Sequence, residues 1–388
     1  MGGANAGVRL SVTGPDSHVL TLDPGVGLLQ IGPDAPADAA CALRVAADEI
    51  IDWSCFDRFA DPSGAAWPRV IRYHGDDAGF FAWSAHRRIE SVVWSPTHGR
   101  TVDAAAAQID HLLIDVPDEP LSLVLPERAM RSLTLRGHLD RFRAVAGAPG
   151  MLTLSPDTGT ARGASTTAVT VAAPPGLREI GGLSLSHGPL EAPISLTSLH
   201  AWPNLTHLQL RGSFTDFDAL TRLPNLTRLE LRYVPDLEGF PPLATFPQLE
   251  TFIAFNVDQA AGRQLRADVR AVSRQRPLRY SSVSQLRSRE WFVAEYGLPY
   301  GGWEPESLQK KAIRAHRAAQ KALASATTAE EAEQALVRFT TAFNDLPGID
   351  TGEREDLGEA VDQLVAAEHA SALVGRERAR EIFDAHRD

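Results

Sequence analysis

Leucines recur in the middle of the chain with a fixed internal spacing. Pro203-Asn204-Leu205 leads to Leu208 and Leu210, Pro224-Asn225-Leu226 to Leu229 and Leu231, and Pro247-Gln248-Leu249 to Phe252 and Ala254. In each copy apolar residues follow the leading Leu by three and five positions. Two apolar side chains separated by one residue share a face of a strand, where they can be buried together, and the leading Leu turns the chain into that strand. Recurrence at about 21 to 23 residues predicts a solenoid, an array of short parallel strands whose turns bury their apolar edges against one another. The same offsets reappear upstream at Ile89/Val92/Trp94, Ile109/Leu112/Ile114, Met130/Leu133/Leu135 and Ile180/Leu183/Leu185, with Val70-Ile71-Arg72-Tyr73 as the first strand of the series. Leu152/Leu154 and Val169/Val171 fit strands outside that register, and Thr158 to Thr167 reads as an exposed loop.

The flanks follow other patterns. From Val8 to about Ile31 apolar and polar residues alternate, which predicts a small β-meander or edge strands. Pro36 to Phe59 places Leu43, Val45, Ala46, Ile50 and Ile51 at helical spacing after Asp38, a suitable N-cap. After Gln259 the composition changes. Leu265 to Gln275 is amphipathic and suited to cap the last turn. Trp291 to Trp303 is aromatic and broken by Gly and Pro, either a hydrophobic connector or an exposed recognition patch. Helices are then predicted over Glu306 to Ser325, from the capping box Thr328/Glu331 to Asp345, from a second box Asp350/Glu353 through Val365, and along the charged tail. The expected fold class is therefore an α/β solenoid: an N-terminal α/β cap over 1–64, the strand array over 65–258 and an α-helical domain over 259–388.

The segment Ile180 to Asn256, and more loosely the chain from Ile89, resembles bacterial leucine-rich repeat proteins, whose pattern is Leu-x-x-Leu-x-Leu-x-x-Asn. The Leu positions are present, but Ser213, Val234 and Val257 stand where the family has Asn. In that family the Asn bonds backbone groups of neighbouring turns, so the resemblance implies that those groups find other partners here. Phe343 to Glu355 is similar to a helical segment of other bacterial leucine-rich repeat proteins. What the resemblance implies is a platform, and function is grafted onto such platforms.

Composition narrows the chemistry. A net charge of -11 with no offsetting basic block argues against a partner that is nucleic acid. Cys41 and Cys55, the only cysteines, predict free buried thiols in a reducing compartment. The start of the chain lacks signal-peptide blocks, and no run approaches the ~20 apolar residues of a membrane helix, so no membrane association and a cytoplasmic location are expected. Gly25-Val26-Gly27 lacks both phosphate-loop spacings, and there is no Gly-x-Ser-x-Gly, His-Glu-x-x-His or Cys-x-x-Cys, so no cofactor and no metal are expected. Asp76-Asp77 and His187-Gly188-Pro189 read as turns, and His316 and His369 as surface or boundary histidines.

What remains is the solvent side of the strands. The residues alternating with the buried ones are His207, Gln209 and Arg211, then Arg228, Glu230 and Arg232, then Thr251, Ile253 and Phe255. Earlier turns contribute His111, Leu113 and Asp115, Ser132, Thr134 and Arg136, and Gly182, Ser184 and Ser186. His111 and Asp115 would lie ~13 Å apart along one strand, too far for an acid–base pair. Arginines and aromatic residues anchor interfaces, and paired guanidinium N–H groups suit carboxylates. The expected function is a non-catalytic scaffold that binds a protein or peptide, acidic in one version, through His207, Gln209, Arg211, Arg228, Glu230, Arg232, Ile253 and Phe255. The alternative is an enzyme of specialised or peptide metabolism that uses the same face as its substrate platform.

Overall fold

Twelve parallel strands carry the first part of the chain. The computed structural model describes residues 7–387 apart from 24, 37–38, 62, 128–129, 158–166 and 302. It divides into two units, Met1–Ser288 and Arg289–Asp388. The strands of the large sheet are β1 (Leu28–Gly32), β2 (Ala42–Arg44), β3 (Val70–His74), β4 (Ile89–Ser95), β5 (Ile109–Val116), β6 (Ser132–Gly137), β7 (Met151–Pro156), β8 (Gly182–Ser186), β9 (His207–Arg211), β10 (Arg228–Val234), β11 (Thr251–Asp258) and β12 (Tyr280–Arg287). The order across the sheet starts β2-β1-β3, and from β3 onward each strand adds to the one before it. The chain is thus an α/β protein with a 12-stranded parallel sheet.

The buried residues of successive strands stand opposite one another. Ile71, Val92, Leu112, Leu133 and Leu152 are paired in register, as are Leu183, Leu208, Leu229 and Phe252. All of them are 0% or 1% exposed. A slip of one residue would turn every one of these side chains to solvent, so burial fixes the register. Behind the sheet, a parallel three-stranded sheet (Thr101–Asp103, Leu121–Val124, Phe142–Ala146) and short 3-10 helices (Leu196–Ala201, Phe217–Arg222, Leu243–Thr245) supply the facing side of one hydrophobic core. Short helix α1 (Gly79–Ser84) adds Phe80 and Phe81 beside Trp94. Between β7 and β8 the strand spacing lengthens. Val169 makes only an isolated bridge to Ile194, so Val169/Val171 is not a strand of the sheet. The loop expected over Thr158 to Thr167 lies, but for Thr167, outside the described residues.

The N-terminal expectations need correction. Val8–Leu10 and His18–Leu20 form a separate antiparallel hairpin, while Leu28–Gly32 enters the large sheet. The helix expected over Pro36 to Phe59 is not formed. Ala42–Arg44 pairs with β1 as a strand, Leu43 and Val45 are buried with Arg44 exposed between them, and Ile50 is 81% exposed. Ala42, Leu43 and Arg44 have no strand preference of their own; parallel pairing with β1, which sets Leu43 opposite the buried Ile31, decides the outcome. Among the described residues of this stretch only Trp53–Phe56 coils, as one 3-10 turn. Asp38, the expected cap, lies outside the described residues.

Helix α2 (Gln259–Gln275) covers the predicted amphipathic stretch, capped by the Asp258 carboxylate on the Ala261 N–H. The chain then returns to the sheet as β12, so residues 259–288 belong with the strands and the second unit starts at Arg289 rather than at 259. That unit contains α3 (Arg289–Tyr296), α4 (Glu306–Ser325), α5 (Ala329–Thr341), α6 (Thr351–Leu364), α7 (Glu368–Leu373) and α8 (Arg376–His386). Leu308, Ala312, Ala319 and Leu323 of α4, Leu336 and Phe339 of α5 and Val361 of α6 share its core. Tyr300 and Trp303 join that core, while Trp291, Phe292 and Tyr296 pack ring against ring on α3. The Asp350/Glu353 box is formed in full. In the other, Thr328 caps Glu331, but the Glu331 carboxylate takes the N–H of Thr327. His316 departs from the expectation of a surface or boundary side chain. It is 3% exposed and bonded through Nδ1 to the Tyr300 hydroxyl, because helical spacing from Ala312 and Ala319 puts it on the buried stripe.

Candidate functional site

Pairing of β9, β10 and β11 places all eight expected site residues on one side of the sheet, in three rows. The first row brings together His207, Arg228 and Thr251, the second Gln209, Glu230 and Ile253, and the third Arg211, Arg232 and Phe255. On the other strands the rows continue through His111, Ser132 and Met151, through Leu113, Thr134 and Thr153, and through Asp115, Arg136 and Ser155.

The charges on this face are mostly spent on one another. Glu230 is 3% exposed, and its two oxygens accept from Arg228 Nε at 2.7 Å and Arg232 Nε at 2.9 Å. His207 Nε2 lies 3.8 Å from the same carboxylate. His207, then Arg228 and Arg232, hold the Glu230 carboxyl down at about 2 against the opposing effect of burial. Asp115 is likewise clamped by Arg136 through bonds of 2.6 and 3.0 Å and takes the Ser95 hydroxyl. His111 bonds Ser132 on the next strand rather than Asp115, so the two do not form an acid–base pair.

Arg211 is arranged differently. Its guanidinium stacks over the Tyr233 ring at 4.7 Å, and Tyr233 meets Phe255 edge to face at 5.8 Å. Sequence alternation did not assign Tyr233 to this face. One position beyond the third row, Gly212, Tyr233, Asn256 and Gln285 all adopt left-handed backbone, with φ of 118°, 55°, 50° and 56°. Such a residue breaks the period of two, so Tyr233 reaches the solvent-side row while the next residue, Val234, is buried again. Val234, Val257 and Leu286 then form a paired apolar ladder, so the positions where the resembled family has Asn are filled by packing at Val234 and Val257. At Ser213 the carbonyl accepts from the Ile194 N–H.

Beyond the strand ends, turns are tied to their neighbours through histidines and acids. His98 Nδ1 lies 2.7 Å from Asp76, whose carboxylate also accepts from the Thr97 and His98 backbone. Burial would raise the Asp76 carboxyl, but these bonds outweigh it and hold it at about 2. Comparable pairs are His74 with Asp34 at 3.2 Å and His138 with Asp118 at 2.8 Å. Asp76-Asp77 thus turns the chain as expected, with a structural use for each carboxylate, Asp77 accepting from Trp53 Nε1.

Among the described residues no group of three or more His, Cys, Asp or Glu could hold a metal ion, and no helix is long and apolar enough to cross a membrane. Cys41 and Cys55 are free, and burial pushes the Cys55 thiol up to about 12, which leaves it protonated and unreactive at neutral pH. An open depression of about 500 Å³ near the N-terminus has Asp52 as its one carboxylate, and Asp52 is occupied in capping Ser54. The chain matches no known protein family, no curated protein and no solved structure.

Proposed function

We propose that the sheet unit is a leucine-rich-repeat-like solenoid that serves as a non-catalytic scaffold and binds a protein or peptide on its strand face. The observation that carries this reading is the register of β9, β10 and β11, which aligns His207, Gln209, Arg211, Arg228, Arg232, Ile253 and Phe255 in rows on one surface. A rigid sheet presents such rows at the ~4.8 Å spacing of its strands, and arrayed strands of this kind serve as extended binding surfaces. The carboxylates in the rows are poorly suited to reaction chemistry. Glu230 and Asp115 are both ion-paired with arginine, which disfavours either as a general base.

The test is affinity capture with the wild-type chain and a double variant, Gln209→Trp with Arg211→Glu, both outward on β9. With the fold verified by circular dichroism, the double variant is expected to lose the captured partners. The same set of partners from both proteins would sink the proposal.

A further inference from the structure

The charge of the strand face runs against that of the chain. The protein carries a net charge of -11. Yet the rows hold six arginines, Arg44, Arg72, Arg136, Arg211, Arg228 and Arg232, against two carboxylates, Asp115 and Glu230. Those carboxylates are fully used by Arg136, Arg228 and Arg232. Arg211 has no carboxylate partner among the described residues, and its ring-stacked guanidinium is held in place by Tyr233. Stacking occupies the flat face of a guanidinium and leaves its N–H edge, the part that fits a carboxylate with two parallel bonds. On one side of Arg211 in the row stands Ser186, a hydroxyl donor, and on the other Arg232, a second cation.

We propose that the partner of this face is an extended acidic peptide segment whose carboxylate is anchored on Arg211; the inference rests on the scaffold reading above and specifies its partner. Arg228 and Arg232 hold Glu230 and set a positive background, while Arg211 makes the direct bond. A polypeptide suits this face better than a polyphosphate chain. Ile253 and Phe255 stand in the same rows, and apolar groups of a peptide can pack on them where a polyphosphate chain has none to offer.

The experiment uses the full chain and a fluorescein-labelled octaglutamate peptide, followed by anisotropy at low ionic strength. Saturable binding is expected, weakening as salt is raised, and about tenfold weaker in Arg211→Gln. Arg143→Gln, on an exposed position of the three-stranded sheet, is expected to bind as wild type does. Absence of saturable binding, equal weakening by both substitutions, or tighter binding of an octathymidylate overturns the inference. Gln209→Trp separates this failure from that of the scaffold reading. If it abolishes binding while Arg211→Gln has no effect, the face stands as a binding surface and the acidic anchor falls. If neither substitution weakens the octaglutamate complex, the peptide binds elsewhere and the acidic anchor falls, while the scaffold reading is decided by the capture experiment.

Discussion

Glu230 decides what the arginines around it can do. A carboxylate buried to 3% exposure is unfavourable unless its oxygens are bonded, and Arg228 and Arg232 bond both. Their own side chains are 44% and 37% exposed, so solvent screens part of the attraction. Glu230→Gln keeps the size and removes the charge, leaving two adjacent guanidiniums without a counter-ion, with Arg211 beside Arg232 in its row. A loss of about 2 kcal/mol is expected in urea unfolding, less than the ~3–5 kcal/mol for breaking a fully buried pair because the arginines are partly solvated. Adding Arg232→Gln should recover part of it, because one of the repelling charges goes. A Glu230→Gln protein within ~0.5 kcal/mol of wild type, the usual range of surface substitutions, would show that the cluster is a solvated surface feature.

At the scale of the element, the left-handed corner explains both what the sequence announces and what it conceals. Leu208/Leu210 and Leu229/Leu231 mark their strands because alternation and burial coincide there, and the same two-residue period assigns His207, Arg211, Arg228 and Arg232 to the opposite side. Alternation ends at the corner, so Tyr233, which completes the Arg211 stack, carried no signal. β12 was equally hidden. Tyr280-Ser281-Ser282-Val283-Ser284-Gln285 contains one strongly apolar aliphatic residue, and none of the six is buried: Tyr280, Ser281 and Gln285 are exposed and the others half-buried. The Pro36 to Phe59 stretch failed for the converse reason, since apolar residues from a strand and a loop fell by coincidence at helical spacing. The corner itself can be tested at Asn256, where φ is 50° and Oδ1 accepts from Arg287 Nε at 2.8 Å. Asn256→Gly keeps the conformation and loses the bond, at an expected cost of about 1 kcal/mol. Asn256→Val also forces a β-branched residue into the left-handed region, for a total of about 2 to 3 kcal/mol. Equal thermal destabilisation by the two would mean that the hydrogen bond alone matters and the corner stores no conformational demand.

Across the whole molecule, both units hold ion-paired carboxylates down, and the helical unit adds a buried histidine that responds to milder acid. In the sheet unit Glu230 and Asp76 titrate at about 2 when folded, below the ordinary carboxyl range. Between roughly pH 4.5 and 2 the unfolded chain takes up protons that the fold refuses, so this contribution is complete above that window and is lost as pH falls through it. In the helical unit burial, with Arg317 nearby, pushes His316 down to about 4. An unfolded histidine protonates near pH 6.5, so folding is penalised progressively from about 6.5 down to 4. The helical unit should therefore weaken first on acidification. Thermal proteolysis with peptide-resolved mass spectrometry, run at pH 7 and pH 5, should show the cleavage midpoint falling for α4, α5 and α6 while β9, β10 and β11 hold. His316→Gln retains a polar partner for the Tyr300 hydroxyl and removes the titrating group, so it should abolish the fall between those two pH values. A drop of the same size in His316→Gln, or a parallel drop in the strands, would assign the acid response to some other group.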